Sequence, residues 1–281
     1  MPIMTDADYR FFDENGYLVV PGVVPVEDCE AVIDAVFTFL GMDRNDPSDW
    51  YRPPLKPGGM IEIYQHQALW NTRQNPRMYE LFTEVHGVRE LHVTIDRAGF
   101  KPPYNPAHSE FDHQGFTHWD LDTTQIPSRF GVQGVLCLSD TSEDQGGFSC
   151  VPGFHRCLEE WIAEQPADRD PRRPDLSRLP PGMKVTPIPA AAGSMILWNN
   201  RLAHGNGRNV SDKPRLSQYI SMFPADRLNE ETRLHRVECW KNRMPPGGST
   251  FPGDPREIEQ KHGKTAELTP LGRKLLGLDS W

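Results

Sequence analysis

Residues 193–223 read GSMILWNNRLAHGNGRNVSDKPRLSQYISMF. The first part, Ser194-Met-Ile-Leu-Trp198, is an apolar run of strand length that follows a glycine. The last part alternates from Arg215 to Phe223. Leu216, Ile220 and Met222 fall on one face, with Arg215, Ser217, Tyr219 and Ser221 on the other. A period of two marks a strand with one buried face. Between the two strands stand His204 and the turn Gly205-Asn-Gly-Arg-Asn209. A histidine at a strand end, before a glycine-rich turn, has little reason to be a core residue.

Outward from this stretch, the chain divides by periodicity. Leu91 to Ala98 alternates as a strand, Val132 to Leu138 is an apolar run, and Met183 to Ile188 reads as another short strand. The N-terminal part is different. Thr5 and Asp8 have the spacing of a capping box, which predicts a helix through Phe11 and Phe12 that ends at Gly16. Tyr17 to Val20 reads as a strand. Cys29, Val32, Ile33, Val36, Phe37 and Leu40 form one apolar helical face, closed by Gly41. Arg77 to His86 reads as a further helix. Residues 43–60 look like loop, residues 160–182 like a long insertion between strands, and residues 240–265 like loose chain. Leu268 to Leu278 reads as a closing helix. The expectation is one domain over 1–281: a helical supporting segment (1–90), a β core (91–225), and a C-terminal loop and helix (226–281).

Composition narrows the function. Asp and Glu (39) outnumber Lys and Arg (30), giving a net charge of −9, and no basic block stands out, which argues against a nucleic-acid partner. No apolar run approaches the roughly 20 residues that span a bilayer. The N-terminal stretch has neither the basic nor the apolar region of a secretory signal. The five cysteines form no CxxC pair and read as reduced thiols of a cytoplasmic protein, a compartment that would also keep iron as Fe(II).

The chemistry begins at His118-Trp119-Asp120. On a strand, residues two apart share a face, so the imidazole and the carboxylate converge while Trp119 points away. With His204 they make the ligand set of a 2-His-1-carboxylate triad, which holds non-haem Fe(II) on one side and leaves positions open. Arg215 follows His204 by eleven residues and shares a strand face with Ser217. The planar guanidinium fork suits a carboxylate, and the hydroxyl beside it adds a hydrogen bond. Together these features point to an oxygenase that uses 2-oxoglutarate. Arg208 is the rival clamp.

Several segments resemble the phytanoyl-CoA dioxygenase family. Phe12-x-x-Asn15-Gly-Tyr-Leu-Val-Val-Pro-Gly22 is similar to the family's opening. Leu138-Ser-Asp-Thr-Ser through Gly146-Gly-Phe-Ser-Cys-Val-Pro-Gly-Phe-His155 resembles its central segment. Gly193-Ser-Met-Ile-Leu-Trp-Asn followed by His204 resembles its distal-histidine strand, and Leu268 to Gly277 its ending. The resemblance implies a mainly β fold with flanking helices: a double-stranded β-helix (a jelly-roll, cupin-like barrel) with a helical N-terminal layer. It implies Fe(II) at His118, Asp120 and His204, and 2-oxoglutarate held by Arg215 and Ser217, with Lys101 and Asn206 also contacting the co-substrate. O2 would be the oxidant, succinate and CO2 would be released, and a C–H bond of a small molecule would be hydroxylated. Relatives that halogenate lack the carboxylate ligand, so Asp120 favours oxygenation.

Gln133, Trp198, Arg201, His155 and Arg156 are candidates for the substrate wall. His108, Asp112 and His113 lie in a polar stretch that reads as a lid, with a second metal site as the alternative. Two other functions use the same three ligands: a non-catalytic metal-binding jelly-roll that captures a ligand, and a zinc hydrolase or isomerase. Arg215 speaks against both, because neither needs a dicarboxylate clamp.

Overall fold

The computed structural model describes residues 2–281; Met1, in the N-terminal stretch considered above, lies outside them. Twelve strands among these residues form three antiparallel sheets. They are β1 (Tyr17–Val20), β2 (Met60–Ile61), β3 (Leu91–Val93), β4 (Ala98–Lys101), β5 (Phe116–His118), β6 (Val132–Cys137), β7 (Phe148–Cys150), β8 (Thr186–Pro187), β9 (Met195–Asn199), β10 (His204–Asn206), β11 (Arg215–Tyr219) and β12 (Met222–Pro224). The large sheet runs β1-β9-β6-β11-β4-β2, the smaller one β5-β10-β7-β8, and β12 pairs with β3. The helices are α1 (Asp6–Asn15), α2 (Val26–Leu40), α3 (Gln67–Arg73), α4 (Pro76–His86), α5 (Phe154–Ala163), α6 (Glu230–Asn242), α7 (Ile258–His262) and α8 (Pro270–Leu276).

Alternation along the large sheet builds two cores. Leu136, Met195, Leu197, Leu216, Ala98 and Phe100 face one way and pack with α2, α3, α4 and α8 in a single apolar cluster. Val135, Cys137, Ile196 and Trp198 face the other way and pack with Phe148 and Cys150 of the small sheet, and with Phe154, Leu158 and Trp161 of α5. One sheet therefore serves a helical layer on one face and a second sheet on the other. Among the described residues no helix is long and apolar enough to cross a membrane.

Local signals work where expected. Thr5 Oγ1 accepts the Asp8 N–H while the Asp8 carboxylate accepts the Thr5 N–H, a reciprocal capping box at the start of α1. The α2 face from Cys29 to Leu40 is buried as its spacing requires. Gly16, Gly41 and Gly87 close α1, α2 and α4 in the left-handed conformation.

Other expectations need correction. The strand expected over 91–98 is two strands, β3 and β4, and the alternating run from Arg215 to Phe223 is likewise β11 and β12. The two breaks face one another. Thr94 N–H donates to Ser221 O (2.8 Å), and Ser221 N–H donates to the Thr94 hydroxyl (3.0 Å). A carbonyl and one side-chain hydroxyl satisfy the two N–H groups there, and both segments leave the large sheet together and form the small ribbon β3–β12. The strand expected over Met183–Ile188 shrinks to Thr186–Pro187. The stretch considered an insertion begins inside α5, and the loose stretch contains the end of α6 and all of α7.

Candidate active site

Period-two alternation puts one set of polar side chains of the large sheet on its inner face, toward the small sheet. Gln133 on β6, Trp198 on β9, Arg215 and Ser217 on β11, and Lys101 on β4 alternate with residues of the helix-facing core. The small sheet supplies the histidines. His204 on β10 is directly opposite His118 on β5 in the antiparallel register. Gly205 follows, and there a Cβ would fall 1.9 Å from Phe116 O, so only glycine allows β5 to lie this close.

His118, Asp120 and His204 meet. Their ligand atoms all lie within 4.8 Å of one another, the one such group among the described residues. His118 Nε2 is 3.3 Å from Asp120 Oδ1, and His204 Nε2 is 3.5 Å from Asp120 Oδ2. His204 Nδ1 donates to Leu202 O at 2.9 Å, which orients the ring with Nε2 toward the carboxylate. Trp119 points the opposite way, into the inter-sheet core, and its indole N–H donates to Arg201 O at 3.1 Å. Asp120 lies just beyond the end of β5, with its side chain 52% exposed. Partial desolvation works against its charge. Hydrogen bonds from His118 and His204, the charge of His204 and a hydrogen bond from Gln133 outweigh this and hold the carboxyl well below its usual range.

Gln133 and Trp198 are cross-strand partners. The Trp198 indole donates to Gln133 Oε1 at 3.1 Å, and Gln133 Nε2 donates to Asp120 Oδ2 at 2.5 Å. Both were considered as substrate wall; in the structure the pair is hydrogen-bonded to the triad carboxylate. Trp198 and Phe148 also flank the His204 ring, at 4.9 and 6.0 Å.

The second half of the site is cationic. Arg215 is 4% exposed and has no carboxylate partner among the described residues; its nearest polar contact is the Tyr219 hydroxyl at 3.5 Å. Ser217 Oγ is buried and without a hydrogen-bond partner. Opposite it, a Cβ on Gly99 would fall 2.8 Å from Ser217 Oγ and 3.5 Å from Arg215 Nη1, so a bare backbone keeps this space clear. A buried guanidinium with no counter-charge beside a buried hydroxyl with no partner is costly unless an acceptor completes them. The distal carboxylate of a dicarboxylic acid fits that need, just as two imidazoles and a carboxylate fit Fe(II). Arg208 is already engaged: it grips Asp112 with two bonds, at 2.8 and 2.7 Å.

The remaining candidates are placed as follows. Asn206 Nδ2 donates to the Tyr219 hydroxyl at 3.4 Å, next to Arg215. Lys101 lies directly across from Arg215. Arg201 is tied to Glu159 of α5 at 2.7 Å. His155 lies under the end of α1, with Nε2 3.0 Å from Asp13 O and its ring against Gly16. Arg156 is on α5. His108, Asp112 and His113 form no metal cluster: His108 stacks on Tyr51, Asp112 pairs with Arg208, and His113 contacts Lys101. Sequence reasoning missed Tyr219 as part of the clamp, although it shares a strand face with Arg215 and Ser217. It also missed the segment 171–173. Arg172 O accepts the Trp119 N–H at 2.9 Å, the Arg172 guanidinium reaches Asp120 O, and Arg173 lies 5.4 Å from the ring of the exposed Phe116.

The model of the phytanoyl-CoA dioxygenase (PhyH) family matches residues 12–217. A Dictyostelium discoideum protein that carries the phytanoyl-CoA dioxygenase name is 27% identical over 277 residues, covering 81% of this chain and 78% of its own. An ectoine dioxygenase of Bordetella parapertussis is 25% identical over 229 residues, covering 74% and 72%. The solved epimerase SnoN, in complex with Fe3+, alpha ketoglutarate and nogalamycin RO, superposes with a TM-score of 0.56 at 17% identity, covering 94% of this chain and 95% of its own. That last likeness speaks for the fold. With the triad and its donor set, the family match leads to one conclusion: the chain belongs to the phytanoyl-CoA dioxygenase (PhyH) family and is a 2-oxoglutarate-dependent non-haem iron dioxygenase.

Proposed function

We propose that this protein hydroxylates an unactivated C–H bond of a small molecule, working as one domain built on a double-stranded β-helix. The observation that carries the reading is the buried Arg215–Ser217 pair on the sheet that faces the triad: among the described residues the guanidinium has no carboxylate partner and the hydroxyl has no hydrogen bond. A zinc hydrolase or a binding module has no use for it. His118, Asp120 and His204 would hold iron from one side, which leaves the other side for co-substrate and O2. Arg215 and Ser217 would fix the distal carboxylate of 2-oxoglutarate and thereby set the direction of its keto-acid end. With iron bound, the group supplies the oxidising power, and 2-oxoglutarate leaves as succinate and CO2. Gln133, itself held by Trp198, keeps the Asp120 carboxylate turned toward the two imidazoles. The Phe148 and Trp198 rings beside His204 keep water from that side of the centre.

The substrate would approach from the open side of Asp120. Phe116, 49% exposed, packs against the His118 ring at 4.7 Å with the two rings tilted, and Arg172 and Arg173 stand beside it. This rim offers a flat apolar surface edged with positive charge. It supports a small-molecule substrate, the class that the name of the ectoine dioxygenases gives.

An anaerobic titration of the metal-free protein tests the reading. Fe(II) and then 2-oxoglutarate should produce a weak visible charge-transfer band. Arg215→Ala should need about 10–100-fold more 2-oxoglutarate to reach it, the loss expected of a charge-assisted clamp worth about 1.5–3 kcal/mol. His204→Ala should show no band. A folded wild type without a band would overturn the reading.

A further inference from the structure

Beyond the end of β5 the chain is strapped by a distant segment, Arg169-Asp-Pro-Arg-Arg173. Trp119 N–H donates to Arg172 O at 2.9 Å, and Thr123 N–H donates to Pro171 O at 3.1 Å. The Thr123 hydroxyl donates to the same Pro171 O at 2.6 Å and accepts from Arg169 Nη1 at 2.6 Å. Thr123 is buried, so the strap is anchored inside the protein. Pro171 and Pro174 fix φ on either side of the two arginines between them. A held backbone therefore presents two guanidinium groups that are themselves open to solvent.

Both arginines point at the metal centre. The Arg172 guanidinium bonds to the backbone oxygen of Asp120 and has no ion pair among the described residues. Arg173 lies over the ring of Phe116, which packs in turn against His118. The nearby acids do not spend this charge. Asp170 takes the Arg172 backbone N–H at 2.8 Å, and its other oxygen is 3.9 Å from Arg173 Nε, an exposed pair at the limit of contact that contributes little. Asp122 is turned onto Thr124, at 2.9 and 2.7 Å. Two guanidinium forks thus stand next to a metal ligand with N–H groups to spare.

Resting on the oxygenase reading above, we propose that Arg172 and Arg173 form an anion subsite for the substrate: the small molecule oxidised here carries a carboxylate or phosphate group, which the two forks hold at the mouth. The guanidinium fork matches the oxygens of either group with paired bonds. A neutral substrate would gain nothing from the pair. The chain as a whole is acidic, with a net charge of −9, so a local excess of positive charge at the mouth sets the one place where an anion is drawn in toward the iron. This subsite is separate from the clamp: Arg172 and Arg173 are exposed beside the small sheet, while Arg215 is buried on the large one.

Mn(II) at the triad supplies the test, because it broadens the NMR lines of molecules held close to it. Protein loaded with Mn(II) and saturating 2-oxoglutarate is mixed with para-fluorobenzoate, phenyl phosphate or the neutral para-fluorobenzyl alcohol. Fluorine and phosphorus line widths are read against Zn(II)-loaded protein. At least one of the two anions should broaden far more than the alcohol, and whichever does so names the group preferred. Arg172→Gln/Arg173→Gln should bind that anion about 10-fold more weakly and leave the alcohol unchanged. Equal broadening by alcohol and anions would overturn the proposal, as would no broadening by any probe or an unchanged anion affinity in the double variant. Broadening that fades as 2-oxoglutarate is raised would overturn it too, since the anion would then occupy the Arg215 clamp. If the double variant does not fold, Arg173→Gln decides, because that side chain is placed only against Phe116 and Asp170: weaker anion binding supports the subsite and unchanged binding removes it. The methylene protons of 2-oxoglutarate report a different failure. If they stay sharp with Mn(II)-loaded wild type, the co-substrate reading itself falls.

Discussion

Half of the Asp120 side chain is open to solvent, and Gln133 is the neutral group that fixes its carboxylate. Such partners of metal ligands typically contribute about 10–100-fold to metal affinity. Gln133→Leu should therefore weaken Fe(II) binding by that factor in an anaerobic titration, while the metal-free protein melts within a few degrees of wild type. An unchanged Fe(II) affinity would remove the support role. At this scale much of the site was legible. His118 and Asp120 are two apart in the chain, and Arg215 and Ser217 share a strand face, so period-two geometry alone predicts their convergence. The support given by Trp198 and Gln133 was not legible, because it depends on β6 and β9 pairing in one particular register. His155 depends on the same kind of long-range contact: its ring reaches a carbonyl near the end of α1, far away in sequence.

Among the elements, helices with their own punctuation were the easiest to find. The capping box of α1 and the glycines that end α1, α2 and α4 are local signals. Thr5→Ala should cost about 1 kcal/mol in urea unfolding, since it removes one half of the reciprocal cap. A cost near zero would mean that the Glu84 carboxylate, which accepts the Ile3 and Met4 N–H groups at 2.8 Å each, already fixes the start of the chain. α3 and α6 carry weaker signals: α3 is only seven residues long, and α6 has almost no apolar stripe. The strand breaks at Thr94 and Ser221 were invisible for another reason. Alternation continues through both, and only the pair of bonds between them, one to a hydroxyl and one to a carbonyl, shows that the two segments change sheets.

At the scale of the molecule, the large sheet separates two kinds of interior. Leu197 is fully buried among the helix-facing residues, away from the triad. Leu197→Ala should lower stability by about 2–5 kcal/mol in denaturant unfolding and leave Fe(II) affinity unchanged in the fraction that stays folded. A matching loss of metal affinity would mean that the two cores are not independent. The mainly β core with a helical layer was expected. That the layer draws on α8 as well as on the N-terminal helices was not, because Leu275 and Leu276 reach it only through the fold. The small sheet has one further consequence. β5 is its outermost strand, only three residues long, yet it carries His118, while His204 is on the inner neighbour β10. An ion shared by the two histidines is a rivet across a fraying edge. Amide exchange at Thr117 and Trp119 should therefore slow when Mn(II) is added and recover when it is chelated, with the amides of β9 unaffected. On that account, losing iron would loosen the rim on which substrate docks along with the chemistry, so an iron-starved enzyme would become proteolysable first at the edge of its own active site.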